Sequence, residues 1–181
     1  MKVRPANHSG EVVFKLNRRD EPLLKAAAWV PFQLKKILVP IDFSDCSKKA
    51  LQYALPLAKQ HDAGLTLLNV VPIPPYAVGE VCGGEHIPTC LRTSSEQELA
   101  NLVKEAVRGE VTADSVVRNG TPAMEIVELA KSLPADLIVI STQAPIGLIH
   151  IFLRSVVEYV VRHSPCPVLV VREGEREVLA G

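Results

Sequence analysis

Four short aliphatic runs constrain what this chain can fold into more than any other feature: Ile37-Leu38-Val39-Pro40-Ile41, Leu65-Thr66-Leu67-Leu68-Asn69-Val70-Val71, Leu137-Ile138-Val139-Ile140 and Pro167-Val168-Leu169-Val170-Val171. They are nearly continuous in apolar character, so each must be covered on both faces, which is the condition of a strand inside a parallel sheet. Helical spacing separates them. Ala50, Leu51, Ala54, Leu55 and Ala58 recur on one helix face, as do Leu99, Leu102, Val103 and Ala106, then Ile126, Val127, Leu129 and Ala130, and finally Val156, Val157, Val160 and Val161. With a weakly alternating fifth run, Val111 to Val117, the pattern predicts an α/β domain. Its expected form is a three-layer open sheet of five parallel strands with helices on both faces, Rossmann-like, linked by right-handed crossovers.

The joints carry their own signals. Asp42-Phe43-Ser44-Asp45 suits a turn and a helix N-cap, and Gly64 after His61-Asp62-Ala63 marks the stop of the helix that follows. Pro56 falls inside that helix and is expected to kink it, at about 3 kcal/mol if uncompensated. Ser95-Glu96-Gln97-Glu98 reads as a capping box opening a second helix, and Gly120-Thr121-Pro122 as a turn with proline at the first position of a third. A fourth helix is expected from about Ser155 to His163. Residues 72 to 93, rich in proline and glycine, read as a long loop.

Length then sets the organisation. A chain of 181 residues makes one domain with appendages. The expected division is an N-terminal extension over 1–33, in which Val12-Val13-Phe14 is β-like, Glu21 to Trp29 could form a brief helix and Trp29 tethers the segment. A domain over 34–173 and a charged tail over 174–181 follow. Twenty basic residues balance twenty acidic ones, so no field favours nucleic acid or a membrane surface. With no apolar run of transmembrane length and no signal-peptide core, the expectation is a cytoplasmic protein whose four cysteines (Cys46, Cys82, Cys90, Cys166) are free thiols.

Candidate chemistry is sparse. The chain has no G-x-x-x-x-G-K-S/T loop, no G-x-G-x-x-G after a strand, no G-x-S-x-G elbow and no H-E-x-x-H pair. Asp42, at the carboxyl end of the first strand, stands where open α/β sheets place ligands, and reads equally as a ligand contact or a turn acid. Cys82, His86 and Cys90 lack the spacing of a zinc site, so no metal is expected on them. Cys46 and Cys166 read as packing groups, and His150 and His163 have no partnered acid or nucleophile in view.

Two segments carry a resemblance beyond spacing. Lys36-Ile37-Leu38-Val39-Pro40-Ile41-Asp42-Phe43-Ser44 and Ser155 through Val171 resemble the two ends of a universal stress protein domain, and Gly120-Thr121-Pro122 falls at that family's Gly-x-Pro turn. The resemblance implies a fold like that of the adenine nucleotide α-hydrolases, a homodimer through the last strand (Pro167 to Val171) and no established catalysis for most members. It implies nucleotide contacts at Pro40, Ile41 and Asp42, at Val70, at Ile140, Ser141 and Ala144, and at Arg154, Ser155 and Val156. ATP-binding members carry a Gly-x2-Gly-x9-Gly-Ser/Thr loop. Here Ser141, Ala144 and Arg154 replace the three glycines and only the hydroxyl of Ser155 survives.

Glycine serves such loops by permitting positive φ and close backbone approach, so that N–H groups point at phosphate. A guanidinium at 154 either fills the phosphate volume or makes a bidentate contact of its own, and Pro145 stiffens the loop and removes a donor. The expectation is a stress-response binding or regulatory module with a degraded ATP loop, weak or no ATP binding, no metal beyond Mg²⁺ should ATP bind, and no enzymatic role. One alternative is a nucleotide sensor or slow hydrolase using Arg154. Another is a dimeric scaffold for a protein partner.

Overall fold

The computed structural model describes residues 2–5, 12–15, 33–72, 89–142 and 151–172, without the side chains of 2–5, 12–15, 89–90, 106–107 and 151–155. The expected helix over Glu21 to Trp29, the Trp29 anchor, Cys82, His86, Ala144, Pro145 and His150 lie outside the described residues. So do the side chains of Cys90, Arg154 and Ser155.

Two units are distinguished, 1–32 and 33–181. The first contains an antiparallel pair, β1 (Lys2–Pro5) and β2 (Val12–Lys15), in register Lys2 with Lys15 and Pro5 with Val12. The run Val12-Val13-Phe14 thus forms the core of β2.

The second unit runs β3 (Lys36–Pro40), α1 (Asp45–His61), β4 (Gly64–Val71), α2 (Thr89–Leu102), β5 (Ala113–Asn119), α3 (Pro122–Ser132), β6 (Leu137–Thr142), α4 (Ile151–His163) and β7 (Val168–Arg172). Its five strands pair in parallel in the order β5-β4-β3-β6-β7. The chain therefore winds outward from β3 to β5, returns to the middle and winds the other way. The reversal lies between β3 and β6.

Packing explains the continuous aliphatic runs. Ile37, Val39, Leu65, Leu67, Leu137 and Val139 face α1 and α2, where Ala50, Leu51, Ala54, Ala58 and Leu99 cover them. Leu38, Leu68, Ile138 and Ile140 face α3 and α4, against Ile126, Val127, Leu129, Ala130 and Val160. Neighbouring residues of one strand enter opposite cores, and each fully buried Leu or Ile contributes roughly 1.5–3 kcal/mol. The alanines of α1 let that helix lie close to the sheet.

Several joints differ from the sequence expectation. Helix α1 ends on Asp62, not on a glycine: Asp62 takes the left-handed conformation (φ 53°) and its N–H bonds the Ala58 carbonyl, while Gly64 opens β4. Asp tolerates this region better than most residues because its short side chain bonds locally. Pro56 lies inside α1, as read, and is exposed. Helix α2 starts at Thr89, six residues before the expected capping box, so 89–93 is helix and not loop. The Ser/Glu spacing there serves i,i+4 pairing instead, with Arg92 Nε 2.9 Å from Glu96 and Ser94 Oγ 3.3 Å from Glu98. After Leu102 the chain widens into a π-helical turn, Val103–Val107.

The Gly120-Thr121-Pro122 turn forms as read, with Pro122 opening α3. Gly120 has φ +151°, and a Cβ there would lie 2.8 Å from Glu125 Oε1. Strand β6 extends two residues beyond its aliphatic tetrad. β7 begins one residue later than the run that marks it and lies at the sheet edge with Leu169 37% exposed.

Candidate functional site

The ladder between β3 and β6 is short. Only Ile37 with Leu137 and Leu38 with Ile138 are in register, whereas β3 and β4 stay paired through Pro40 with Leu68. Past Leu38 the two central strands part. Pro40 contributes to this because it has no N–H to offer a neighbour. The gap at the carboxyl ends, at the point where the winding reverses, is where an open α/β sheet forms its ligand crevice.

A cavity of about 150 Å³ occupies that gap. Pro40, Ile41 and Asp42 line one wall, Ile140, Ser141 and Thr142 the other, Leu68 and Val70 the β4 side, and Pro122, Ile126, Val156 and Val157 the layer of α3 and α4. Of the residues singled out from sequence, Pro40, Ile41, Asp42, Val70, Ile140, Ser141 and Val156 meet at this one cavity. Ala144 and the side chains of Arg154 and Ser155 fall outside the described residues.

The rim at Asp42 is built by hydrogen bonds. The hydroxyl and the N–H of Ser44 both donate to Asp42 Oδ1, the N–H at 3.0 Å. Ser44 Oγ also accepts from Ser47 N–H at 3.2 Å, capping α1 as the sequence indicated. Ser47, 1% exposed, donates its hydroxyl to the Ser44 carbonyl at 2.9 Å and accepts from Asp42 N–H at 3.3 Å. Asp42 is therefore both a turn acid and a crevice residue. Partial burial pushes its carboxyl upward, but the hydroxyls of Ser44 and Ser47 and the N–H groups of Ser44 and of Asp42 itself outweigh this and hold it below the ordinary carboxylate value. It is an anion at neutral pH.

Behind the rim, buried Asn69 donates from Nδ2 to the Ile41 carbonyl at 2.8 Å, and Ile41 N–H bonds the Leu68 carbonyl at 2.7 Å. These bonds tie the end of β3 to β4 after regular pairing stops. Since the Leu68 carbonyl points toward β3, the period of two directs the N–H and carbonyl of Val70 the same way, past the end of β3 and toward the crevice. Sequence reasoning missed Ser47 and Asn69. The available signal was Asn69 itself, an amide in an otherwise aliphatic run.

On the opposite wall Ser141 and Thr142 remain in the ladder, paired with Val171 and Arg172 of β7. Ser141 is not among the residues with positive φ, so its backbone is ordinary strand. Elsewhere, Cys166 is half-buried, and burial first, then the nearby Asp136 carboxylate, pushes its thiol upward. Cys46 is buried at the crevice and Cys166 is a free thiol. His163 is exposed on α4, stacked on Tyr159 with centroids 4.1 Å apart. Among the described residues no cluster of three or more His, Cys, Asp and Glu could hold a metal, and no helix is long and apolar enough to cross a membrane.

Comparison with known proteins agrees with this architecture. The family model described as "Universal stress protein family" matches residues 33–172. A universal stress protein of Methanocaldococcus jannaschii is 39% identical over 145 residues, covering 79% of this chain and 85% of the relative. The solved structure of the hypothetical protein MJ0577 superposes with a TM-score of 0.64 at 25% identity, over 80% of this chain and 99% of that one. A universal stress protein solved in complex with cAMP shares the fold, with a TM-score of 0.58 at 22% identity over 76% of this chain and 97% of that one. A matching family profile over most of the chain, a well-covered relative and a five-stranded parallel sheet opening at Asp42 agree: the chain belongs to the universal stress protein family.

Proposed function

We propose that this protein is a stress-response binding module that keeps the base-and-sugar half of a nucleotide site and has lost the half that holds polyphosphate. The observation that carries the reading is the contrast between the two walls of the crevice. On the β3 and β4 wall, Asp42 is ionised and fixed by Ser44 and Ser47, and Val70 presents a donor and an acceptor beyond the end of β3. A flat base with adjacent hydrogen-bonding edge groups fits there, with a sugar hydroxyl donating to the carboxylate. A universal stress protein of the same fold has been solved with cAMP, a ligand of this class.

On the β6 side the sequence lacks the glycines that a phosphate loop uses. Ser141 stands at the first glycine position in regular strand pairing, Ala144 and Arg154 replace the other two, and oriented N–H groups are what a phosphate needs. The described lining contains a single carboxylate and no histidine, so no acid–base pair for hydrolysis is formed among the described residues. ATP is therefore a poor ligand and the protein a binding module, not an enzyme. Replacing Arg154 separates this from use of the guanidinium as a phosphate contact. Arg154→Gly creates or strengthens ATP binding if the side chain blocks the loop, and abolishes existing affinity if it serves it.

The functional form we propose is a homodimer through β7. Val168, Leu169 and Val170 form an apolar strand at the edge of the sheet, its outer side unpaired among the described residues, a surface that pairing with a second copy would cover. Sedimentation as a monomer at micromolar concentration contradicts this assignment.

A further inference from the structure

We infer that the N-terminal ribbon of β1 and β2 is a docking element for an anionic lipid surface. The first observation is its register. Lys2 stands opposite Lys15, Val3 opposite Phe14, Arg4 opposite Val13 and Pro5 opposite Val12. Residues directly opposite share a face, and every second residue of a strand returns to it. One face therefore carries Val3, Pro5, Val12 and Phe14, and the other Lys2, Arg4, Val13 and Lys15. The ribbon is apolar on one side and cationic on the other.

The second observation is where the charge lies. The chain is neutral as a whole, but residues 1–32 hold six Lys and Arg against three Asp and Glu, leaving fourteen against seventeen in residues 33–181. The change from basic to acidic falls at the boundary between the two units. The even balance of the whole chain thus conceals a cationic appendage, and a local excess of this kind draws a polyanion.

The third is what the ribbon needs in order to persist. A two-stranded ribbon is marginal in water, and like charges directly opposite, as Lys2 and Lys15 are, weaken it further. A partner that brings anions to one face and apolar cover to the other offsets both costs. An anionic bilayer supplies the two together: the apolar face lies at the boundary of headgroups and acyl chains, and the cations stay within a Debye length of the lipid phosphates. Such docking is peripheral and needs no spanning helix. A nucleic acid duplex would engage the cationic face alone and leave the face of Val3, Pro5, Val12 and Phe14 without cover, so it is the poorer fit.

The test is co-sedimentation of the full chain with large unilamellar vesicles at low ionic strength. Saturable binding is expected to vesicles containing roughly one third phosphatidylglycerol and not to pure phosphatidylcholine, and raising NaCl from roughly 0.05 to 0.5 M is expected to weaken it. The combined variant Lys2→Gln, Arg4→Gln, Lys15→Gln is expected to lower the partition coefficient on the order of 100-fold, about fivefold per charge. Phe14→Ser is expected to lower it about tenfold, whereas Val13→Ser, on the cationic face, leaves it unchanged. Absence of binding to the anionic vesicles overturns the inference, as does equal binding to the neutral ones. Binding that survives the combined variant, or that falls equally with Val13→Ser and Phe14→Ser, overturns the assignment to the two faces of the ribbon. Tighter binding to a duplex DNA oligonucleotide than to the vesicles, unaffected by Phe14→Ser, overturns it in favour of nucleic acid.

Discussion

Replacing Asn69 by Leu tests the tie that holds the crevice open at its β4 side. The side chain is buried at 7% exposure, and its amide nitrogen is 2.8 Å from the Ile41 carbonyl. Leucine nearly conserves volume and removes the donor, so little cavity term is added and the main cost is a buried carbonyl deprived of its partner. An unsatisfied buried polar group costs about 1–3 kcal/mol. Taking about 2 kcal/mol, and about 2–4 °C per kcal/mol for a domain of this size, Tm falls by roughly 4–8 °C. Urea unfolding should show the same loss as a lower midpoint with an unchanged slope. A useful control is Lys59→Ala, which removes an exposed 3.0 Å ion pair with Glu110 and is expected to cost at most about 1 kcal/mol. If Asn69→Leu behaves like that control, the amide does not support the β3 terminus and the account of the crevice wall is wrong.

Other consequences are independent of that one. Asp42 is expected to titrate below its ordinary value of 3.8 in the folded protein, followed by NMR, and Ser44→Ala to move it upward. Because the folded value is the lower one, the carboxylate's stabilisation is complete above pH 3.8 and is lost as pH falls through the folded value; a midpoint above 3.8 contradicts the hydrogen-bonded rim. Gly120→Ala must hold a positive φ and displace Glu125, and is expected to cost about 1–3 kcal/mol, part of it recovered by Glu125→Ala; neutrality in thermal unfolding rules out the steric requirement. Leu169→Lys at the exposed β7 edge is expected to convert the proposed dimer to monomer in sedimentation velocity while leaving the fold intact by circular dichroism. A variant that stays dimeric places the interface elsewhere.

The sheet was legible because its constraint is local. Leu38 and Val39 enter opposite cores, so the strand must be apolar without interruption, and Ile138 and Val139 repeat the rule. Ser44 and Gly120 were legible for the same reason, since a cap and a positive φ demand particular residue types at particular places. The stop of α1 was misplaced because glycine is the commonest left-handed residue, while Asp62, two positions earlier, fills that role. The start of α2 was misplaced because Ser95 followed three residues later by Glu98 matches a capping box, whereas within the helix Glu98 pairs with Ser94, four residues earlier. Ser47 and Asn69 act across 5 and 28 positions, on Asp42 and on the Ile41 carbonyl, and no window of local sequence contains both partners of the second bond. Asp42 illustrates a further limit. Its two readings were never alternatives, because the carboxylate closes the turn through Ser44 while the same residue lines the crevice.

Three positions decide whether this crevice still serves a nucleotide: Ser141, Ala144 and Arg154, standing where ATP-binding relatives are expected to have glycine. Titration of the unmodified chain with ATP in the presence of Mg²⁺ addresses them most directly. The account predicts no saturable binding in the micromolar range and no steady release of phosphate. A micromolar dissociation constant contradicts the loss of the phosphate half-site, and sustained turnover contradicts the assignment as a binding module.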